Sequence, residues 1–257
     1  MNGLTYCKPT GLVLSGKAVG PGVAGGGSSN PYPTIANSYL LIDFANSCTD
    51  ANGLTLATDG QAVRTLRLPT GWGASLGDGL LRQETGSLRP TWRTDGLQGD
   101  GSDDVLVLPA TISLSGAFTC WAVTKCTGAV TSVTTIAGSV APFGGAICGI
   151  NASGMRAFNP DASYNLTLAI TTTGVRLLRI RRDASNNMWF AATGTSEAAR
   201  SSTSHNWQLD RILFATGAPT QSTHRVQGIM VVSADAVTAG TSTAAEAWLS
   251  ARFGVTL

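Results

Sequence analysis

Carboxylates are the first groups to test for chemistry in this chain. Glycoside hydrolysis on a β-framework uses two of them flanking one bond, about 5 Å apart in retaining enzymes. The sequence holds three glutamates, Glu84, Glu197 and Glu246, each isolated. No Glu-x-Asp-x-Glu pair is present, and Glu246 has a second use, set out below, as a helix-capping partner. Asp100, Gly101, Ser102, Asp103 and Asp104 crowd three carboxylates into five residues, with Asp95 nearby. Closely spaced oxygens suit a hard cation such as calcium. The run lacks the twelve-residue logic of an EF-hand loop, so it reads as a glycine turn whose Asp and Ser side chains bond local backbone. Calcium is the alternative, and no other cofactor is expected.

Nucleophilic chemistry has less support. The two histidines, His205 and His224, stand near apolar stretches without a Gly-x-Ser-x-Gly elbow or a catalytic cysteine context. No GxxxxGK[ST] phosphate loop occurs. Five cysteines, Cys7, Cys48, Cys120, Cys126 and Cys148, form neither CxxC nor His-paired spacings. Their odd number implies neither a disulfide framework nor a zinc site, and it fits a reducing compartment. Cys120, inside an apolar stretch, reads as a small core residue.

Aromatic and basic residues supply the remaining candidates. Trp72, Trp92 and Trp207 lie in loop-like sequence, and with His205 they form the candidate glycan contacts, since an aromatic face stacks on a pyranose. Trp121, Trp189 and Trp248 match core positions. Arg179, Arg181 and Arg182 make the one basic cluster, read as a solvated strand face or a subunit contact. With a net charge of +2 and only three lysines, Lys8, Lys17 and Lys125, the chain lacks the basic density that direct nucleic-acid binding needs. No run of eighteen apolar residues, and no basic segment leading into an apolar one, implies a membrane span or a signal peptide.

The elements that must position these residues read as strands. VRLLRIRRDASNNMWFAATG, residues 175 to 194, is an alternating strand, a polar turn and a returning apolar strand. Leu178 and Ile180 share one face; Arg179 and Arg181 take the other, expected to be wet. Similar short stretches recur at 39–45, 105–109, 116–125, 133–140, 144–150, 154–158, 165–172, 210–217 and 224–237, separated by turn residues. That spacing implies an all-β antiparallel sandwich. The stretch from Gly71 to Asp104 reads as a long packed loop or binding rim. One helix is expected, Thr243 to Phe253, with Thr243 and Glu246 at capping-box spacing and Gly254 as its stop. Residues 1–37, rich in Gly, Pro and Ser, read as an extended arm, in which Leu12, Val13 and Leu14 are the candidate docking patch on a neighbouring subunit. Residues 38–257 form the sandwich.

Four segments carry a family resemblance: RPTWRTDGLQGDGSDDVLVLP (89–109), GAFTCWAVTK (116–125), RIRRDASNNMWFAATG (179–194), and QGIMVVSADAV leading to AEAWLSARFGVTL (227–257). In this order they resemble the concanavalin-A-like or laminin-G-like jelly-roll domains found in bacteriophage virion proteins and bacterial surface proteins. The resemblance implies a jelly roll and a role in recognition or assembly. The expectation that follows is a non-enzymatic virion structural protein, a capsid decoration or head-fibre module. Its partners would be other capsid or tail proteins and further copies of itself, as a homo-oligomer on the virion surface after assembly in the host cytoplasm. The alternative is a tail-fibre adhesin contacting host surface polysaccharide.

Overall fold

The computed structural model describes residues 32–36, 38–69, 72–73, 76–100, 103–127, 134–139, 145–151, 153–158, 165–169, 173–202, 205–215 and 224–257. Leu12, Val13 and Leu14 therefore lie outside the described residues. In chain order the strands are β1 (Ser38–Asp43), β2 (Ser47–Cys48), β3 (Thr65–Arg67), β4 (Leu80–Arg82), β5 (Thr91–Arg93), β6 (Gly96–Gln98), β7 (Leu106–Leu114), β8 (Phe118–Cys126), β9 (Thr134–Ser139), β10 (Gly145–Asn151), β11 (Gly154–Phe158), β12 (Asn165–Leu168), β13 (Gly174–Arg182), β14 (Asn187–Ala192), β15 (Thr195–Ser202), β16 (Trp207–Ala215) and β17 (His224–Val232). One helix, α1 (Ser242–Phe253), follows them.

These strands form two antiparallel sheets. The eight-stranded sheet runs β15-β14-β13-β8-β17-β6-β5, with β1 also pairing to β17; the nine-stranded sheet runs β12-β11-β10-β9-β16-β7-β4-β3-β2. Inward side chains of both, including Leu66, Leu81, Leu106, Phe118, Ile136, Leu178, Ile180, Leu209 and Ile229, merge in one apolar interior. Burial of each such side chain contributes roughly 1.5–3 kcal/mol. The all-β antiparallel sandwich with one helix is therefore what the chain forms.

The β13–β14 hairpin shows how local sequence sets the register. Asp183 accepts hydrogen bonds from Ser185 N (2.9 Å), Asn187 N (2.9 Å), Asn187 Nδ2 (3.0 Å) and Trp189 Nε1 (3.1 Å). Asn186 takes the left-handed φ of 65° that the turn requires. Ile180 then pairs with Phe190, and both point inward.

The outer face of the eight-stranded sheet is covered. Trp121, Val123, Leu177, Met230 and Val232 point away from the interior and form a second apolar cluster with Ala245 and Leu249 of α1. Gly228 is required for this docking, because a Cβ there would stand 2.7 Å from the Phe253 ring. Arg252 donates to the buried Asp43 at 2.8 Å, tying α1 to β1. Ile35 joins the same cluster at 5 % exposure, so residues 32–36, assigned to the arm by composition, pack on the sandwich.

Two local expectations are corrected. The stretch 71–104 contains three short strands, β4, β5 and β6, rather than one long loop. The helix begins one residue early behind Thr241, with no side-chain cap, so Glu246 is not a capping partner. Gly254 ends α1 as expected, at φ 69° with its N–H on Ser250 O. No helix among the described residues is long and apolar enough to cross a membrane.

Candidate functional site

The arginine cluster is internal. Arg179 and Arg181 leave β13 on the outer face of its sheet, beneath α1, at 9 % and 7 % exposure. Arg181 meets Glu197 at 2.6 Å and Asp235 at 2.8 Å. Arg179 meets Glu197 at 2.8 Å and also pairs with Glu246. Glu246 accepts from Trp121 Nε1 at 3.2 Å, and the Arg181 guanidinium lies 4.7 Å from the Trp189 ring centre. Burial pushes the Glu197 carboxyl up, but Arg181 and Arg179 outweigh it and hold it below its ordinary range. Arg182 points the other way, into the interior, and is fully buried. It donates to the carbonyls of Leu114 (2.7 Å), Gly116 (2.7 Å) and His205. The expected wet face is thereby corrected: all three side chains are buried within the chain, Arg179 bonded to α1, Arg181 to β15 and the turn before α1, and Arg182 closing the end of a sheet.

The candidate glycan contacts do not converge. Trp207 opens β16, pairs with Leu114 and is 1 % exposed in the interior. His205 packs edge-on to it, ring centres 5.0 Å apart. Trp92 sits on β5 in the other sheet, half-buried against the core. Trp72 is 6 % exposed, and its indole N–H donates to Pro33 O at 3.1 Å. Trp207 thus offers no open ring face, which corrects its reading as a stacking platform, whereas Trp72, though nearly buried, lines the cleft described below. His224 is buried at the start of β17, and desolvation lowers its pKa to about 4.

The acidic turn does gather its carboxylates: oxygens of Asp100, Asp103 and Asp104 lie within 4.8 Å of one another. Asp104 accepts from Asp100 N at 2.7 Å and Asp100 from Asp103 N at 3.4 Å, the local backbone bonding expected of such a turn. Asp104 is 6 % exposed, and burial, with added repulsion from Asp100 and Asp103, raises its pKa to about 6. Among the described residues, these three side chains are the group that could hold a cation.

The outer face of the nine-stranded sheet is partly exposed among the described residues: Val107 is 37 % exposed, whereas Thr65 is fully buried. Arg82 pairs with Thr65 on one side and Val107 on the other, Val107 with Arg211, and Arg211 with Gly138. Directly paired residues share a face, so these form one row opposite the inward Leu66, Leu81, Leu106 and Ile212. The register shifts between Leu209 and Arg211, where Asp210 accepts from Ser139 Oγ and Arg211 Nε, both at 3.0 Å. At the β3–β4 end lies an open cleft of about 420 Å³, lined by Asn52, Leu54, Arg67, Pro69, Trp72 and Asp78 among others. Leu54 is 72 % exposed. Asp78 accepts from Arg82 Nη1 at 3.1 Å and from Leu80 N at 3.2 Å, and the Arg82 bond leads in holding its carboxyl below the usual range. Sequence reasoning missed this set. Its signal was the arginine ending each of two short apolar runs, TLR and LLR, on strands too brief to show alternation.

No protein-family model matches the chain, and no curated protein matches it. Solved structures do. A Trypanosoma rangeli sialidase in complex with sialic acid is 12 % identical with a TM-score of 0.47, covering 85 % of this chain and 33 % of that one. The GH43 BlXynB protein from Bacillus licheniformis is 8 % identical with a TM-score of 0.42, covering 60 % of this chain and 36 % of that one. The Emp46p carbohydrate recognition domain, in a metal-free form, is 9 % identical with a TM-score of 0.38, covering 56 % of this chain and 85 % of that one. The chain spans about a third of the length of the sialidase structures it matches. These are likenesses of fold. They correct one expectation: sialidases and a GH43 protein are enzymes, so the chain is no longer read as non-enzymatic.

Proposed function

We propose that this chain is a carbohydrate-binding β-sandwich module whose glycan lies on the outer face of the nine-stranded sheet, seated in the β3–β4 cleft. The observation that carries the reading is the cleft's lining. Asn52, Arg67 and Asp78 are planar, two-pronged polar groups that match pairs of vicinal hydroxyls, and the exposed Leu54 and Pro69 offer apolar surface to sugar C–H faces. At about 420 Å³ the cleft falls within the usual range for a small-molecule site. The corresponding face of the other sheet is occupied by α1. A place on a virion rests on the family resemblance, and the binding proposal does not depend on it.

The test is a glycan array followed by calorimetry on the strongest oligosaccharide. Arg67→Ala and Asp78→Ala are each expected to weaken binding at least tenfold, the value of one hydrogen bond to a charged group, about 1.5–3 kcal/mol. Trp92→Ala should leave affinity unchanged. Absence of glycan binding, or wild-type affinity in both cleft variants, would overturn the proposal. Sugar release from the same oligosaccharides shows whether binding leads on to cleavage.

A further inference from the structure

The β3–β4 cleft holds an uncommitted charge. Arg67 ends β3, is exposed, and pairs across the ladder with Leu80, so the two share the outer face of the nine-stranded sheet. Among the described residues its guanidinium has neither an ion pair nor a hydrogen bond. Two neighbouring arginines are engaged, Arg64 with Glu84 and Arg82 with Asp78. The nearby carboxylates are engaged as well. Arg82 holds Asp78 through both oxygens, and Asp78 also accepts from Leu80 N at 3.2 Å. Asp50 accepts from the backbone N–H groups of Asn52 (2.8 Å), Leu54 (3.0 Å) and Thr55, all in its own loop. Neither carboxylate pairs with Arg67, whose planar fork of five N–H donors is left open at the cleft.

The surroundings leave room for a ligand at this fork. Gly77 and Gly79 line the cleft, and a Cβ added to either would meet nothing within 4 Å. Leu54, 72 % exposed, lies on the same lining. A sugar ring and a charged substituent on it would each find a counterpart here.

We propose that the glycan taken by this cleft is anionic, a sugar unit bearing a carboxylate or a sulfate whose charged group is received by Arg67. The inference rests on the glycan reading above and adds the class of sugar to it. A guanidinium meets a carboxylate through two parallel N–H···O bonds, and a sulfate presents a comparable pair of oxygens. Of the charges on the lining, Asp78 is offset by Arg82, so the charge of Arg67 is the one left for an incoming anion. An ionic acceptor makes a bond roughly twice as strong as a neutral hydroxyl does. A neutral sugar would leave that gain unused.

The test begins with the full chain on an array carrying carboxylated, sulfated and neutral glycans together. The strongest binders are expected to bear one of the two anionic groups, and which one they bear identifies the source of the charge. The best of them is then compared by calorimetry with the same oligosaccharide after carboxyl reduction or desulfation, which removes the charge and keeps the rings and linkages. That loss should weaken binding by about tenfold to a hundredfold. Arg67→Gln should bind the charged and neutralised forms equally. Arg64→Gln, which removes an equal charge three residues away, should keep the wild-type preference. Raising salt from 0.1 to 1 M shortens the screening length from about 10 to about 3 Å, and should weaken wild-type binding severalfold while leaving Arg67→Gln unmoved. Neutral glycans as the strongest binders, equal wild-type affinity for the charged and neutralised forms, or a preference lost alike in Arg64→Gln would each overturn the anionic class and leave the glycan site standing. Binding of no glycan at all would overturn both.

Discussion

Replacing Asp104 by Asn should make the protein more stable at neutral pH, the reverse of what removal of a native carboxylate usually does. Asp104 is nearly buried beside Asp100 and Asp103, and its folded-state pKa is raised to about 6. In the unfolded chain it is close to 3.9. Between those values the folded state holds the extra proton, so stability is full below about pH 4 and falls as pH rises toward 6. The shift of roughly two units corresponds to about 3 kcal/mol at pH 7.5, an upper value for a group at the rim of the core. Asparagine keeps an oxygen for Asp100 N, now bonded at 2.7 Å, and turns N–H donors toward the two remaining carboxylates. Thermal unfolding in EDTA should show Asp104→Asn melting several degrees above wild type at pH 7.5, at about 2–4 °C per kcal/mol, with the difference closing by pH 4. A variant less stable than wild type at pH 7.5, or a difference indifferent to pH, would refute the reasoning. Repeating the melt with calcium separates turn from ion site: a bound ion raises wild-type Tm and leaves the variant unmoved.

His224 works in the opposite direction. Its pKa falls from 6.5 to about 4 on burial, so its contribution is present above pH 6.5 and is lost, by about 3 kcal/mol, as pH falls to 4. With Asp104 gaining over nearly the same interval, wild-type stability should be almost flat from pH 4 to 6.5, whereas His224→Leu should gain stability on acidification; a steep wild-type profile would contradict this. Arg182→Lys should cost about 2–3 kcal/mol in urea unfolding, because an ammonium cannot span the carbonyls of Leu114, Gly116 and His205 as a planar guanidinium does. Unchanged stability would mean that these bonds add nothing.

The strands of the sandwich were legible wherever one face is dry and the other wet, and the hairpin at Asp183 could be drawn almost residue by residue. Legibility failed where both faces are dry. On β13 the alternation of Leu178 and Ile180 with Arg179 and Arg181 reads as half-exposed, yet Glu197, Asp235 and Glu246 converge on those arginines from 16 to 67 residues away. Sequence proximity cannot show such a network. The signal that was available is β8, FTCWAVTKC, apolar on both faces and buried almost throughout, as a strand between two packed layers should be. Trp207 misled because Ser and Thr precede it, although it begins β16. Strand β15, TSEAARSS, passed unnoticed because an edge strand of small polar residues carries no hydrophobic period. The cleft was invisible for a further reason: its polar residues come from a turn at 52, from β3 and from a turn at 78, and only folding brings them together.

The helix resting on the eight-stranded sheet sets an order on biosynthesis. Trp121, Val123, Leu177 and Met230 have all left the ribosome before residues 242–253 emerge to shelter them. During that interval a nascent chain can assemble both layers and still display a greasy exterior, the kind of surface that chaperones grip and aggregates nucleate upon. A premature stop codon after position 241 would make that interval permanent, leaving a product with its inner packing intact and its outside unfinished.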